Sequence, residues 1–137
     1  MRTVDTIAFI LIRDKKVLVE RRRLDRVNDP GAVAIPGGHV DPGETHLMAL
    51  RRELREELGI EGTRFSFFDR MLCHSDTEDQ LNHWYICDDW AGTPVPEEAE
   101  EIFYLGWDEL DQLSLPNDRS VVSRLFEEII NKNASNC

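Results

Sequence analysis

Residues 38–60 read GHVDPGETHLMALRRELREELGI, a glycine-bearing loop that runs straight into a helix-forming segment. Residues 45–58 contain no Pro or Gly and are rich in Leu, Glu, Arg and Ala, so they are predicted to form a helix that stops at Gly59. At about 100° per residue, Leu47, Leu50, Leu54 and Leu58 gather in one arc, the expected buried stripe. Glu53, Glu56 and Glu57 fill the neighbouring arc at i, i+3 and i+4, and Glu44 precedes the first turn. A merely solvated face would place a base four residues after Glu53, but Glu57 stands there. Like charges at that spacing cost about 0.2–0.5 kcal/mol each. Arg52 can reach Glu56, whereas Arg51 and Arg55 point away from the acids. Three carboxylates without an internal neutraliser suit a hard divalent cation such as Mg²⁺ or Mn²⁺, which keeps several waters and is shared with substrate phosphates.

The residues before the helix strengthen this reading. Residues 32–35 are a short strand stopped by Pro36-Gly37-Gly38, and the loop runs on through Asp41-Pro42-Gly43. Alone these are two tight turns. Beside an acid-bearing helix they become a second wall, because backbone without a Cβ can approach a ligand closely. Further out, residues 3–12 turn fully apolar and predict a strand buried on both faces, forming a hairpin with residues 17–19. Residues 65–74, 83–89 and 102–107 predict further strands, with residues 90–101 as a Pro- and Glu-rich loop and Asp108 capping a short turn. Val122, Leu125, Phe126, Ile129 and Ile130 mark the apolar face of a closing helix. The fold class is therefore α/β: one domain over residues 1–137, a sandwich with a mixed sheet.

Composition excludes several classes. Asp+Glu exceed Lys+Arg, 27 against 16, for a net charge of −11. Nucleic-acid polymers and anionic membranes would both be repelled. The longest apolar run, residues 7–12, is far short of a bilayer span, and residues 1–5 carry an acid where a secretory segment would be apolar. Cys73, Cys87 and Cys137 are odd in number and widely spaced, which fits reduced thiols in a cytoplasmic protein, with Cys73 and Cys87 as core filler. His39, His74 and His83 read as surface or edge residues, and His46 falls in the first helical turn.

Read without a gap, residues 38–60 resemble the Nudix box: Gly38, Glu44, Arg52, Glu53, Leu54, Glu56, Glu57, Gly59 and Ile60 match its fixed positions. Chance would supply such a match roughly once in a billion starts. The resemblance implies an α/β/α sandwich and Mg²⁺- or Mn²⁺-dependent hydrolysis of a nucleoside diphosphate linked to another group. By position, Glu56 and Glu57 would ligate metal, helped by the Gly37 carbonyl. Glu53 would ligate, or orient and deprotonate, the attacking water. Arg52 and Glu44 would brace the box. Among Glu97, Glu98, Glu100 and Glu101, Glu98 matches the acid-bearing loop of the MutT-type enzymes and Glu101 is next.

Markers of other subgroups are missing. No Pro stands between Pro42 and Pro94, where ADP-ribose enzymes carry one; Thr77 and Glu78 occupy the region of the dinucleoside-polyphosphate Tyr. Leu115-Pro116-Asn117-Asp118, leading into the last helix, is similar to the MutT-type purine-reading segment, and either Asn117 or Asp118 could fill that role. The same residues also suit an ordinary turn and cap. Arg22 and Arg23 stand where that subgroup contacts nucleotide, and Gly38 lies beside it. The expectation is a pyrophosphatase releasing NMP and pyrophosphate from a nucleoside triphosphate such as 8-oxo-dGTP. Alternatives are a Nudix hydrolase of ADP-ribose or a dinucleotide, and a Nudix-fold binding module. A homodimer stays open.

Overall fold

Alternation along one strand organises the molecule. In β1 (Thr3–Arg13), Ile7, Phe9 and Leu11 face one helix while Ala8 and Ile10 face the other, and all five are buried. This is the two-faced burial expected of a central strand. The structure, a computed structural model, describes residues 2–135, with side chains through Lys132. Cys137 lies outside the described residues.

β1 forms a hairpin with β2 (Lys16–Arg21), which pairs antiparallel with β3 (Val33–Ala34). β4 (Gly37–His39) pairs antiparallel with β1, setting Gly37 opposite Ala8 and Gly38 opposite Ile7. The expected loop at Pro36-Gly37-Gly38 is thus partly a strand; glycines let it lie close on β1, where a Cβ on Gly37 would stand 2.1 Å from the Ile7 carbonyl oxygen. α1 (His46–Leu58) follows, then β5 (Glu61–His74) and β6 (Asp79–Ala91), both longer than their apolar runs suggested because the hairpin's outer ends are polar. β6 runs parallel to β1, and β5 forms the sheet edge. β7 (Glu101–Leu105) pairs with β2. A 3₁₀ turn (Trp107–Gln112) is capped at Gly106, with Glu109 accepting from the Gly106 N–H, so Asp108 lies inside the turn rather than capping it. α2 (Pro116–Ser135) closes the chain.

The helices cover opposite faces of the mixed sheet. α1 buries Ala49, Leu50, Leu54 and Leu58 against Ile7, Phe9, Leu11 and Leu18. α2 buries Val121, Val122, Leu125 and Phe126 against Ile10, Val17, Val19 and Trp84. Leu47 and Ile130, expected in the buried stripes, are exposed, because each lies at the rim of its helix's contact with the sheet. Ala49, about 200° further round the helix, is buried as well, so the buried face extends past Glu53 and Glu57. Cys87 is core as expected.

Candidate active site

Local chemistry fixes the ends of α1. Thr45 caps it, its hydroxyl accepting from the Met48 N–H at 3.2 Å, and Gly59 ends it at φ +66°, a left-handed conformation that favours glycine. Arg52 ties the preceding loop to the helix. Its Nε and Nη2 donate to both oxygens of Glu44 at 2.8 and 2.9 Å, and Nη2 also reaches the His39 carbonyl. Nη1 donates to Glu53 at 2.9 Å and Glu56 at 3.1 Å. This fork holds the Glu44 carboxyl down to about 2, and the Asp41 N–H adds to it. Arg52 therefore supplies the neutraliser that the helical wheel lacked, and Glu56 stands at the solvent rim rather than in a shared buried patch.

Glu53 is 9% exposed and lies flat against Gly38, where a Cβ would come within 2.3 Å of its Oε1. Burial pushes its carboxyl up, against the pull of Arg52. Glu57, one turn on, is 4% exposed, and its Oε2 has no hydrogen-bond partner. Burial raises it well above the carboxylate range, and the charges of Glu20, Glu53 and Glu98 push it further.

Glu20, at the end of β2, was not anticipated. It is 5% exposed, and burial lifts it to about 7 despite Arg22 and Arg26. Period-two alternation could have found it: Leu18 packs beneath α1, so Glu20 faces the same helix. The loop after β6 completes the group. Val95 and Glu97 donate their N–H groups to the Leu58 and Glu57 carbonyls, which brings Glu98 near Glu20, Glu53 and Glu57. Glu101 pairs instead with Arg21 at 2.9 Å, and the Glu100 N–H bonds the Arg21 carbonyl. Of the four acids considered in that loop, Glu98 is the one whose charge acts on Glu20, Glu53 and Glu57.

A cavity of 260 Å³ is lined in part by Gly37 and Gly38, and Gly38 also lies against Glu53 of the acid cluster. Arg22, Arg26, Cys73, Trp84, Asn117 and Asp118 line it. Arg22 is braced by the Asn28 carbonyl at 3.0 Å and lies 3.7 Å from Glu20. Arg23, expected beside it, is exposed, pairs with Asp25 and lies outside this cavity, because the chain turns away after β2. Asp118 is buried and spends both oxygens on protein donors, the Ile35 N–H at 3.0 Å and Trp84 Nε1 at 3.1 Å. Asn117 gives its Nδ2 to Cys73 Sγ at 3.1 Å. Cys73 is half-buried, packed against the α2-side core as expected and also lining the cavity. His83 is buried, not a surface residue; its Nδ1 meets the Thr6 carbonyl at 3.1 Å. His39 and His74 are exposed, as expected.

The NUDIX domain profile matches residues 1–128. The chain belongs to the Nudix family. It is 32% identical over 111 residues to an 8-oxo-dGTP diphosphatase of Haemophilus influenzae, covering 80% of this chain and 82% of that one. It is 43% identical over 63 residues to a CTP pyrophosphohydrolase of Escherichia coli, covering 46% of each. Its fold superposes on a MutT Nudix hydrolase of Burkholderia pseudomallei with a TM-score of 0.80, at 24% identity over 88% of this chain and 96% of that one. The chain is thus a Nudix-type pyrophosphohydrolase of α/β/α architecture. Among the described residues, no helix is long and apolar enough to cross a membrane.

Nudix hydrolases work with a divalent metal, and the acid cluster fits one. Glu57 holds a buried carboxylate oxygen that no protein donor satisfies, beside two further buried acids. Among the described residues no three His, Cys, Asp or Glu side chains close into a ready cage. The acids would therefore supply only part of a hard ion's coordination, the rest falling to backbone carbonyl, water and substrate phosphate.

Proposed function

We propose that this Nudix enzyme hydrolyses a nucleoside triphosphate to the monophosphate and pyrophosphate, with 8-oxo-dGTP the first substrate to try. The observation that carries the reading is Gly38, which lies against the Glu53 carboxyl and also lines a cavity of 260 Å³. The relatives' named activities support it.

Glu53, Glu56, Glu57 and Glu98, with the Gly37 carbonyl, would hold Mg²⁺ or Mn²⁺. When bound, that ion neutralises phosphate charge and acidifies water. Glu53 is the base. Its carboxylate takes the proton of the attacking water, the water oxygen bonds to phosphorus, and the phosphoanhydride bond breaks with its electrons leaving on pyrophosphate. Arg52 donates to Glu53 and opposes the upward push of burial on its carboxyl, while Glu44 holds Arg52. Gly38 admits the Glu53 carboxylate against the backbone. In the cavity, Arg22 meets the nucleotide, and base reading falls to Asn117 because Asp118 is buried and tied to the Ile35 N–H and Trp84. The cytoplasm is the natural place for such an enzyme, where nucleotide pools lie and Cys73 and Cys87 stay reduced.

A nucleotide panel with Mg²⁺, read by pyrophosphate release, tests the assignment; it should include 8-oxo-dGTP, CTP, ADP-ribose and a dinucleotide. Glu53→Gln should lower turnover at least about a hundredfold with little change in melting temperature. Retained turnover would remove Glu53 as the base. Nucleotide binding without any hydrolysis would favour a binding module.

A further inference from the structure

Strand β2 delivers a carboxylate that the glycine–acid box does not contain. Glu20 lies on the α1 side of the sheet by alternation with Leu18, between Ala34 of β3 and Ile102 of β7. It is 5% exposed and Glu57 is 4% exposed. Among the described residues no donor hydrogen-bonds the Glu20 carboxylate; Arg22, its ion-pair partner, stays at 3.7 Å. The charge of Glu20 pushes the Glu57 carboxyl up, as do those of Glu53 and Glu98. The sheet and the helix thus present two buried, poorly solvated carboxylates to each other, and one of them carries an oxygen with no partner. Unpaired buried charges are too costly to persist without compensation. A divalent ion between the two carboxylates would supply that compensation.

We propose that Glu20 is a ligand of the divalent cation, binding it from the sheet opposite Glu57 on the helix. The proposal rests on the reading above that a cation occupies this cluster. It makes the ion a clamp between β2 and α1 rather than an appendage of the helix. It also links the metal to the nucleotide cavity, because Glu20 is the ion-pair partner of Arg22, which lines that cavity.

The test uses Mn²⁺ alone, without nucleotide, titrated into the full chain and followed by electron paramagnetic resonance of the free ion. Glu20→Gln should weaken Mn²⁺ binding about tenfold or more, as should Glu57→Gln. Its metal-free melting temperature should match or exceed that of the wild type, since a buried charge is gone, while the rise in melting temperature on adding Mn²⁺ should shrink. Wild-type Mn²⁺ affinity in Glu20→Gln, with affinity lost in Glu57→Gln, would overturn the proposal. If Glu20→Gln does not fold, Glu20→Asp keeps the charge and withdraws the oxygens by one methylene; the same weakening is expected, and unchanged affinity overturns the idea. Should the wild type bind no Mn²⁺ even with nucleotide present, the metal reading itself fails first, which separates the two.

Discussion

At the scale of single residues, Asp118 shows how a polar group in a nucleotide cavity can be structural. It joins the start of α2 to β6 and to the backbone before β4 through two accepted hydrogen bonds. Asn offers only one acceptor oxygen in that place, and its NH₂ would confront a buried donor. Asp118→Asn should therefore cost about 1–3 kcal/mol of stability, measured by denaturant unfolding at pH 7. Burial raises Asp118 to about 6 from an ordinary 3.8, outweighing the two donors. The folded state thus binds this proton more tightly than the unfolded chain. Its stabilising contribution is full below about pH 4 and is lost as pH rises through about 6. The stability advantage of wild type over Asp118→Asn should narrow between pH 4 and pH 7. A gap that widens over that range would show the carboxylate to be favoured by its surroundings.

At the scale of elements, the helix and its loop were legible because their signals are local. Gly59 ends the helix where expected and Leu50, Leu54 and Leu58 are buried, whereas Thr45 proves to be the cap and Leu47 and Glu56 lie outside the buried face. The Arg52–Glu44 brace followed from the family pattern for the same reason. What stayed hidden depends on partners distant in the chain. Which of Arg22 and Arg23 faces inward depends on how the chain leaves β2, and neighbouring residues do not encode it. Cys73 lines a cavity only because α2 brings Asn117 against β5. Glu20 is the intermediate case, visible in principle once β2 is read as buried on both faces. β4 illustrates the energetic side of this distinction. Gly38→Ala would drive a Cβ into the Glu53 carboxylate at 2.3 Å, a flexible group that can swing aside. Gly37→Ala meets the Ile7 backbone at 2.1 Å, which cannot. Gly38→Ala should then lose activity by tenfold or more while staying folded, and Gly37→Ala should lose the fold. Steady-state kinetics beside melting curves would check the pair; equal damage to stability would contradict the difference between a side-chain and a backbone obstacle.

At the scale of the whole molecule, the cluster draws on β2, α1 and the loop after β6, three segments brought together by one sheet. The net charge of −11 surrounds a site meant for a polyanion, so the few cations at the cavity, Arg22 and Arg26 among them, and the bound metal must offset that field locally. The parallel contact between β1 and β6 has a kinetic consequence. Thr6 and Asn82, hydrogen-bonded across it, are separated by 76 residues. Closing a loop of that size costs about 4 kcal/mol of chain entropy before any strand contact returns it. A refolding chain must cross that barrier by bringing its first strand to one made much later. Chains rich in such distant pairings refold in milliseconds to seconds rather than microseconds. Stopped-flow fluorescence of Trp84, buried on β6 against α2, should therefore report a slow recovery. Enzymatic competence should return no faster than that signal, since the cradle for the reacting phosphate exists only once the first strand has met β6.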